Sequence, residues 1–214
     1  MSNKAVLACI QPKWCGKIFT GNKNLEFRKT VPKIELPFKC YVYCTQKKES
    51  LLTIIRDGED VYGTEYHGNP VFIKTDASSG DTEAWINGWC KKVIGEFTVD
   101  RIEEVTVPES FYPPMAFYGG TAFMDFPTGY LLGGGLTLQE FDKYKGDGKV
   151  YGWRIADYKL YDKPKEITDF KRWNRTEETA PCAHVKSLYG PCENCTACNL
   201  TRPPQSWCYV EEMK

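Results

Sequence analysis

The sequence has no excess of either charge sign, since 28 lysines and arginines face 28 aspartates and glutamates across 214 residues. Sequence-independent nucleic-acid binding is driven by neutralising phosphates with Lys and Arg, so a general coating protein is disfavoured. Histidine is almost missing, at two residues, and His67 has no Cys or carboxylate nearby at metal-ligand spacing. It reads as a surface-loop residue. No apolar run approaches the roughly 18 to 20 residues that span a bilayer. The start MSNKAVLACIQPKW lacks the long apolar region and small-residue cleavage site of a signal peptide, so a cytoplasmic location is expected. The run Gly133, Gly134, Gly135 is not followed by GK[ST], which argues against a P-loop phosphate site. Residues 108–135, rich in Pro, Gly and aromatics, read as a long packed loop that includes this run, a plain connection with a flexible lid as the alternative.

What is present describes a globular chain. Hydrophobic residues make up 42% and charged ones 26%, enough for one domain with a substantial core. The charge is unevenly spread: residues 1–50 hold ten Lys or Arg against three Asp or Glu, and residues 51–110 hold five against twelve. A basic patch would therefore lie in the N-terminal part. Ten cysteines without a secretory start read as reduced thiols or metal ligands, not as a disulfide framework.

The stretch GNKNLEFR, residues 21–28, concentrates Lys23, Glu26 and Arg28 at a junction. Before it, Pro12 suits a first helical turn and Trp14, Cys15, Ile18 and Phe19 have helical spacing, so a short helix is expected to end at Gly21. From Asn24 the period becomes two, with Leu25 and Phe27 on one face and Glu26, Arg28 and Thr30 on the other. Two readings stay open for the charges. One is a solvated strand face; the other is a small polar pocket where Lys and Arg donate and Glu accepts, as a nucleobase edge or phosphate requires.

KAVLACI, residues 4–10, suits a buried strand. Phe38, Cys40, Val42 and Cys44 alternate with Lys39, Tyr41 and Tyr43 in a half-buried pattern. Cys40 and Cys44 would sit roughly 13 Å apart, too far to share a metal, and read as core thiols. Residues 45–90 read as loops and short strands, with Trp85 and Trp89 as either a helical turn on the core or an exposed aromatic shelf. Residues 91–104 form a strand with Val93, Phe97 and Val99 on one face and Ile94, Glu96 and Thr98 on the other. Thr137 and Glu140 form a capping box for a short helix with Phe141 and Tyr144 on its apolar side, ended by Gly146. A strand over 150–161 carries a bulge near Ala156 and Asp157, continues with Tyr158 and Leu160, and is closed by Pro164.

Near the C-terminus, PCAHVKSLYGPCENCTACN supplies Cys182, Cys192, Cys195 and Cys198. A C-x2-C pair is the usual knuckle for two thiolates on one zinc, and a fourth Cys upstream completes a tetrahedron. Structural zinc is the preferred reading; an iron–sulfur cluster, suggested by C-x2-C-x2-C, and incidental thiols are the alternatives. RPPQSWCYVEE reads as a final strand.

G-x-K-x-x-E-x-R after VLACIQPKW resembles the signature of the ASCH family, and VIGEFTVDRI, LTLQEFDKYKG and YGWRIADYKLYDKPKE resemble its later strand, helix and closing strand. The resemblance implies an α+β fold, a PUA-like mixed β-barrel with a few short helices, over residues 1–165. Residues 166–214 would be a Cys-rich extension packing on the barrel. Similar proteins are common in bacteriophage and bacterial genomes. The family implies a module that binds RNA or a nucleotide, with Lys23, Glu26 and Arg28 as ligand-binding residues.

Two other classes are weighed against it. Some small ASCH proteins are amidohydrolases acting on acetylated cytidine, with a Thr nucleophile three residues after the motif's Lys. Here that position is Glu26, which cannot form the same acyl-enzyme, although Lys23 and Glu26 could serve another hydrolase or nuclease reaction on modified nucleosides or RNA. The third class is a phage factor that docks on a host protein through the Cys-rich segment; no partner can be named for it.

Overall fold

In this computed structural model the described residues are 3–45, 51–57, 60–66, 71–76, 81–86, 90–107, 116–122, 131, 133–173 and 198–213, with the backbone path alone for the strands within 51–86. The architecture is α+β, dominated by a mixed sheet that curls into an open half-barrel. Among the described residues no helix is long and apolar enough to cross a membrane.

β1 (Lys4–Ile10) is the apolar run KAVLACI and lies one strand in from an edge of the sheet. It pairs in parallel with β3 (Phe38–Cys44) and antiparallel with β12 (Trp207–Glu211). β3 continues to β8 (Lys92–Thr106), β8 to β11 (Tyr151–Lys165), and β11 to β2 (Leu25–Arg28). The strand order along this path is therefore β2-β11-β8-β3-β1-β12, with the small hairpin β9 (Phe117–Tyr118) and β10 (Thr121–Ala122) on the far end of β8.

The two ends of that path meet through side chains. Arg28 of β2 donates to Ser206 just before β12 and to the Cys9 carbonyl of β1. The Trp207 indole donates to Thr30 Oγ1 at 2.9 Å, and the Lys33 amide donates to the Tyr209 hydroxyl at 2.5 Å. Side-chain hydrogen bonds, not a backbone ladder, bring the sheet's edges together.

Three apolar clusters fill this frame. The barrel interior holds Val6, Ala8, Cys40, Val42, Phe97 and Trp153, closed at one end by Ile18 and Phe19 of helix α1 (Pro12–Phe19). Trp153 is fully buried and meets Phe38 and Trp207 edge-to-face, each at 5.9 Å between ring centroids. A second cluster covers the opposite face of β1 and β3 with Tyr161, Phe170, Leu200 and Val210. The third lies under β2, where Leu25 and Phe27 meet Phe141 of helix α2 (Leu138–Lys145), Leu136 and Val150.

Local reading and structure agree on several points. α1 starts at Pro12 and is followed by Gly21 in the left-handed region, φ 75°. The Thr137–Glu140 capping box is formed in both directions, and Gly146 ends α2. The register of β11 against β8 slips between Ile155 and Tyr158, the bulge expected at Ala156 and Asp157.

Other expectations are corrected. β3 is buried on both faces, with Tyr41 at 0% exposure, because the chain after β11 folds over its second side. Ile94, not Val93, shares the interior with Phe97 and Val99: a register shift opposite Val42 and Tyr43 flips the alternation there. Tyr158 is 46% exposed, and β11 runs through Pro164 to Lys165 instead of stopping at the proline. The short strands expected within 45–90 are present: β4 (Leu51–Asp57), β5 (Asp60–Tyr66), β6 (Val71–Asp76) and β7 (Asp81–Ile86) form a separate four-stranded sheet, order β5-β4-β6-β7. Trp85 thus belongs to a strand, not a helical turn; Trp89 and His67 lie outside the described residues.

The burial of Phe170 between β3 and β12 makes it a core residue on a segment of little regular structure. Phe170→Ala is expected to cost about 3–5 kcal/mol. Val31→Ala, at a 43% exposed position, is expected to stay within about 0.5 kcal/mol. Urea unfolding midpoints measure both, and equal small effects would mean that the second face is not a core.

Candidate functional site

The junction after α1 places the charged residues of GNKNLEFR in one cluster. Gly21 turns the chain, its left-handed φ being costly for other residues. β2 then alternates so that Leu25 and Phe27 enter the cluster under α2, while Glu26 and Arg28 point to the opposite face, at the mouth of the barrel. Lys23, Glu26 and Arg28 are exposed by only 2%, 7% and 7%. A solvated strand face is thereby ruled out.

Glu26 is held from both sides. Its Oε1 lies 3.0 Å from the Arg28 guanidinium and its Oε2 lies 3.5 Å from Lys23 Nζ. Lys23 also donates to the carbonyls of Leu25 and, at 2.8 Å, Gly134. Arg28 donates from Nη2 to the Cys9 carbonyl at 2.9 Å and from Nη1 to Ser206 O and Oγ at 3.3 and 3.2 Å. Its Nε is buried without a partner among the described residues. Burial drives the Lys23 ammonium below its ordinary value of 10.5, with the Glu26 carboxylate pulling the other way.

These groups floor a cavity of about 220 Å³. Trp14 of α1 and Tyr144 of α2 contribute aromatic walls, and Cys9, Gln11 and Glu140 complete the polar lining. Lys13 and Lys23 reach the Trp14 ring at 4.9 and 5.5 Å, and Lys29 reaches Tyr144 at 5.5 Å. The Tyr144 hydroxyl donates to the Phe27 carbonyl at 3.2 Å, and burial raises its pKa. Tyr144 is therefore not simply part of the apolar side of α2; it is 40% exposed and lines the cavity.

The glycine run is the part of the site that sequence reading missed. Expected as a plain connection, it presses its backbone against the motif. Gly133 O accepts from the Asn24 and Leu25 amides, both at 2.9 Å, Gly134 O from Lys23, and Gly135 O from Lys17. A Cβ on Gly134 would stand 2.6 Å from the Phe27 ring, and Gly133 and Gly135 adopt φ of 71° and 77°. Three consecutive glycines are themselves a signal of close backbone approach. Ser206 and Cys9 were also missed, because only the closure of the sheet brings them to Arg28.

Cys182, Cys192 and Cys195 lie outside the described residues; Cys198 is buried, and its carbonyl accepts from the Arg172 amide at 2.9 Å. Among the described residues no group of three or more His, Cys, Asp or Glu could hold a metal ion. Cys40 and Cys44 are fully buried, as core thiols should be.

The fold and site define a mixed half-barrel with a buried, ion-paired polar cavity at its mouth. No family model matches the sequence, and no curated protein matches it. Among solved structures the chain is similar to an ASCH protein from Zymomonas mobilis, at 16% identity and TM-score 0.39, over 76% of this chain and 73% of that one. It is likewise similar to two single-substitution variants of that protein, at 16% and 15% identity with TM-scores of 0.40 and 0.43. Those matches cover 77% and 95% of this chain, and 77% and 85% of the others. The family named is the one the GNKNLEFR stretch resembles; at these values the likeness carries no functional argument, and the reading below rests on the cavity.

Removing Glu26 leaves two buried cations without their shared anion. Glu26→Ala is expected to destabilise by about 3–5 kcal/mol in chemical denaturation, and a loss below about 1 kcal/mol would show that the pairing does not stabilise the fold. Lys23 gives a pH signature. The unfolded chain keeps this proton up to about 10.5, so between the lowered folded value and 10.5 the unfolded state binds more protons and the residue's contribution to stability rises with pH. The stability of the wild type relative to Lys23→Met should therefore increase as pH is raised toward about 10.5. Tyrosines with burial-raised values, such as Tyr41 and Tyr43, titrate in both proteins and cancel in the difference. A difference flat in pH would contradict the assigned shift.

Proposed function

We propose that the protein is a nucleotide-recognition module, acting in the cytoplasm, that takes one base of an RNA or of a small nucleotide into the cavity at the barrel mouth. The observation that carries this reading is the combination of the buried Lys23, Glu26 and Arg28 floor with the Trp14 and Tyr144 walls. Aromatic faces stack on any base, and a fixed polar floor reads its edge. The volume, about 220 Å³, lies below the roughly 300–1,000 Å³ of drug-sized sites and suits a single base. A local pocket also fits zero net charge, where a long phosphate-tracking groove does not.

A hydrolytic role finds less support. Cys9 is the thiol that lines the cavity; burial pushes it up to about 12, partly offset by Arg28, so it stays protonated at neutral pH and is no ready nucleophile. Glu26 occupies the position of the family's Thr nucleophile and is engaged by two cations. For the Cys-rich segment we propose a structural zinc held by Cys182, Cys192, Cys195 and Cys198, supported by the C-x2-C knuckle within 192–198 and a fourth Cys upstream.

Two measurements check these readings. In a thermal-shift screen of nucleotides and short RNAs, a ligand at about 100 times its dissociation constant should stabilise by about 2.7 kcal/mol. Trp14→Ala or Tyr144→Ala should weaken that ligand by about 1–3 kcal/mol. No shift with any nucleotide or RNA would remove the reading. Elemental analysis of the purified protein should find about one zinc per chain; less than about half an equivalent of zinc would remove the metal proposal.

A further inference from the structure

We propose that the base read by this cavity is guanine, recognised through the two adjacent N–H donors of its Watson–Crick edge by the carboxylate of Glu26. The inference rests on the nucleotide reading above and follows from counting which hydrogen-bonding capacity the floor has left. Lys23 has three N–H groups and three acceptors around it, in Leu25 O, Gly134 O and Glu26 Oε2. The terminal nitrogens of Arg28 face Ser206 O, Ser206 Oγ, Cys9 O and Glu26 Oε1. Both cations have thus spent their terminal donors on the protein.

Glu26 has not spent its acceptors. Each carboxylate oxygen takes one cation and retains a further lone pair, and the side chain lines the cavity. The Tyr144 hydroxyl donates to Phe27 O, so what it offers inward is also an acceptor. The floor therefore calls for a ligand edge rich in donors, while the Gln11 amide, also in the lining, can donate or accept. Among the standard bases only guanine sets two ring-edge donors side by side, at N1 and the 2-amino group. Adenine and cytosine place a ring acceptor next to their amino group, which would oppose a carboxylate oxygen. Uracil has one N–H between two carbonyls. The donor left over in the floor is the buried Arg28 Nε, and guanine carries its O6 acceptor next to the donor pair. Lys13 and Lys29, beside the two aromatic walls, supply positive charge for a phosphate outside the cavity.

Isothermal titration of the full chain with GMP, IMP, AMP, CMP and UMP tests this, because the ligand series leaves the protein unchanged. IMP lacks only the 2-amino group and so loses one hydrogen bond to a charged acceptor. GMP should bind roughly 10- to 100-fold more tightly than IMP, and AMP, CMP and UMP no better than IMP. GMP and IMP binding alike, or another base binding as well as GMP, would overturn the guanine assignment and leave the pocket standing. No binding by any of the five, nor by the guanosine-containing RNA that follows, would overturn both. A uridine-rich RNA with a single guanosine separates the sources: binding tighter than GMP assigns RNA, and equal or weaker binding assigns the free nucleotide. In Glu26→Gln the preference for GMP over IMP should disappear; its persistence in the folded variant would overturn the assignment.

Discussion

A carboxylate held between two cations in a buried place organises this molecule. Removing Glu26, Lys23 and Arg28 from water costs several kcal/mol per ion, a cost that is offset only if geometry and hydrogen bonding are nearly complete. Completing them draws in four stretches of chain: the end of β1 through Cys9, β2 itself, the glycine run through Gly134, and the entrance to β12 through Ser206. No two of these are neighbours in sequence. The ionic cluster thus specifies where distant segments sit, and it does so at the place where the two edges of the sheet must meet.

The glycine run explains how so much charge is satisfied with so few side chains. Backbone carbonyls can approach Lys23, Lys17 and the Asn24 amide closely only where no Cβ intervenes. Gly134 lies against the Phe27 ring while its carbonyl receives the Lys23 ammonium, so one residue both packs the outer face of β2 and caps a charge from the inner face. The conformational entropy lost by three glycines is the cost of that approach.

Much of this was legible in the sequence because it depends on local rules. The period of GNKNLEFR placed Glu26 and Arg28 on one side of β2, the Thr137 capping box located α2, and a broken alternation at Ala156 and Asp157 marked a bulge. The failures have a common cause. Val93 and Ile94 exchanged faces because a register slip is imposed by the partner strand, and Tyr41 and Tyr43 were buried by Phe170 and Val210 from more than a hundred residues away. Burial of the charged cluster was equally invisible to spacing, since alternation says which residues share a face and not what covers that face. Ser206 had no local signal at all; its role exists only once β12 has paired with β1.

Closure by side chains rather than by a ladder brings the meeting of the sheet's edges next to the cavity. Backbone ladders hold strands about 4.8 Å apart along their length, whereas β2 and β12 are tied at points: Arg28 to Ser206, Trp207 to Thr30, and Tyr209 to the Lys33 amide. The cavity opens beside the first of these ties, where Arg28 and Cys9 line it together with Trp14 of α1 and Tyr144 of α2. The arginine that ties the edges of the sheet is thus also a wall of the cavity, so closure of the sheet and the shape of the site depend on one side chain.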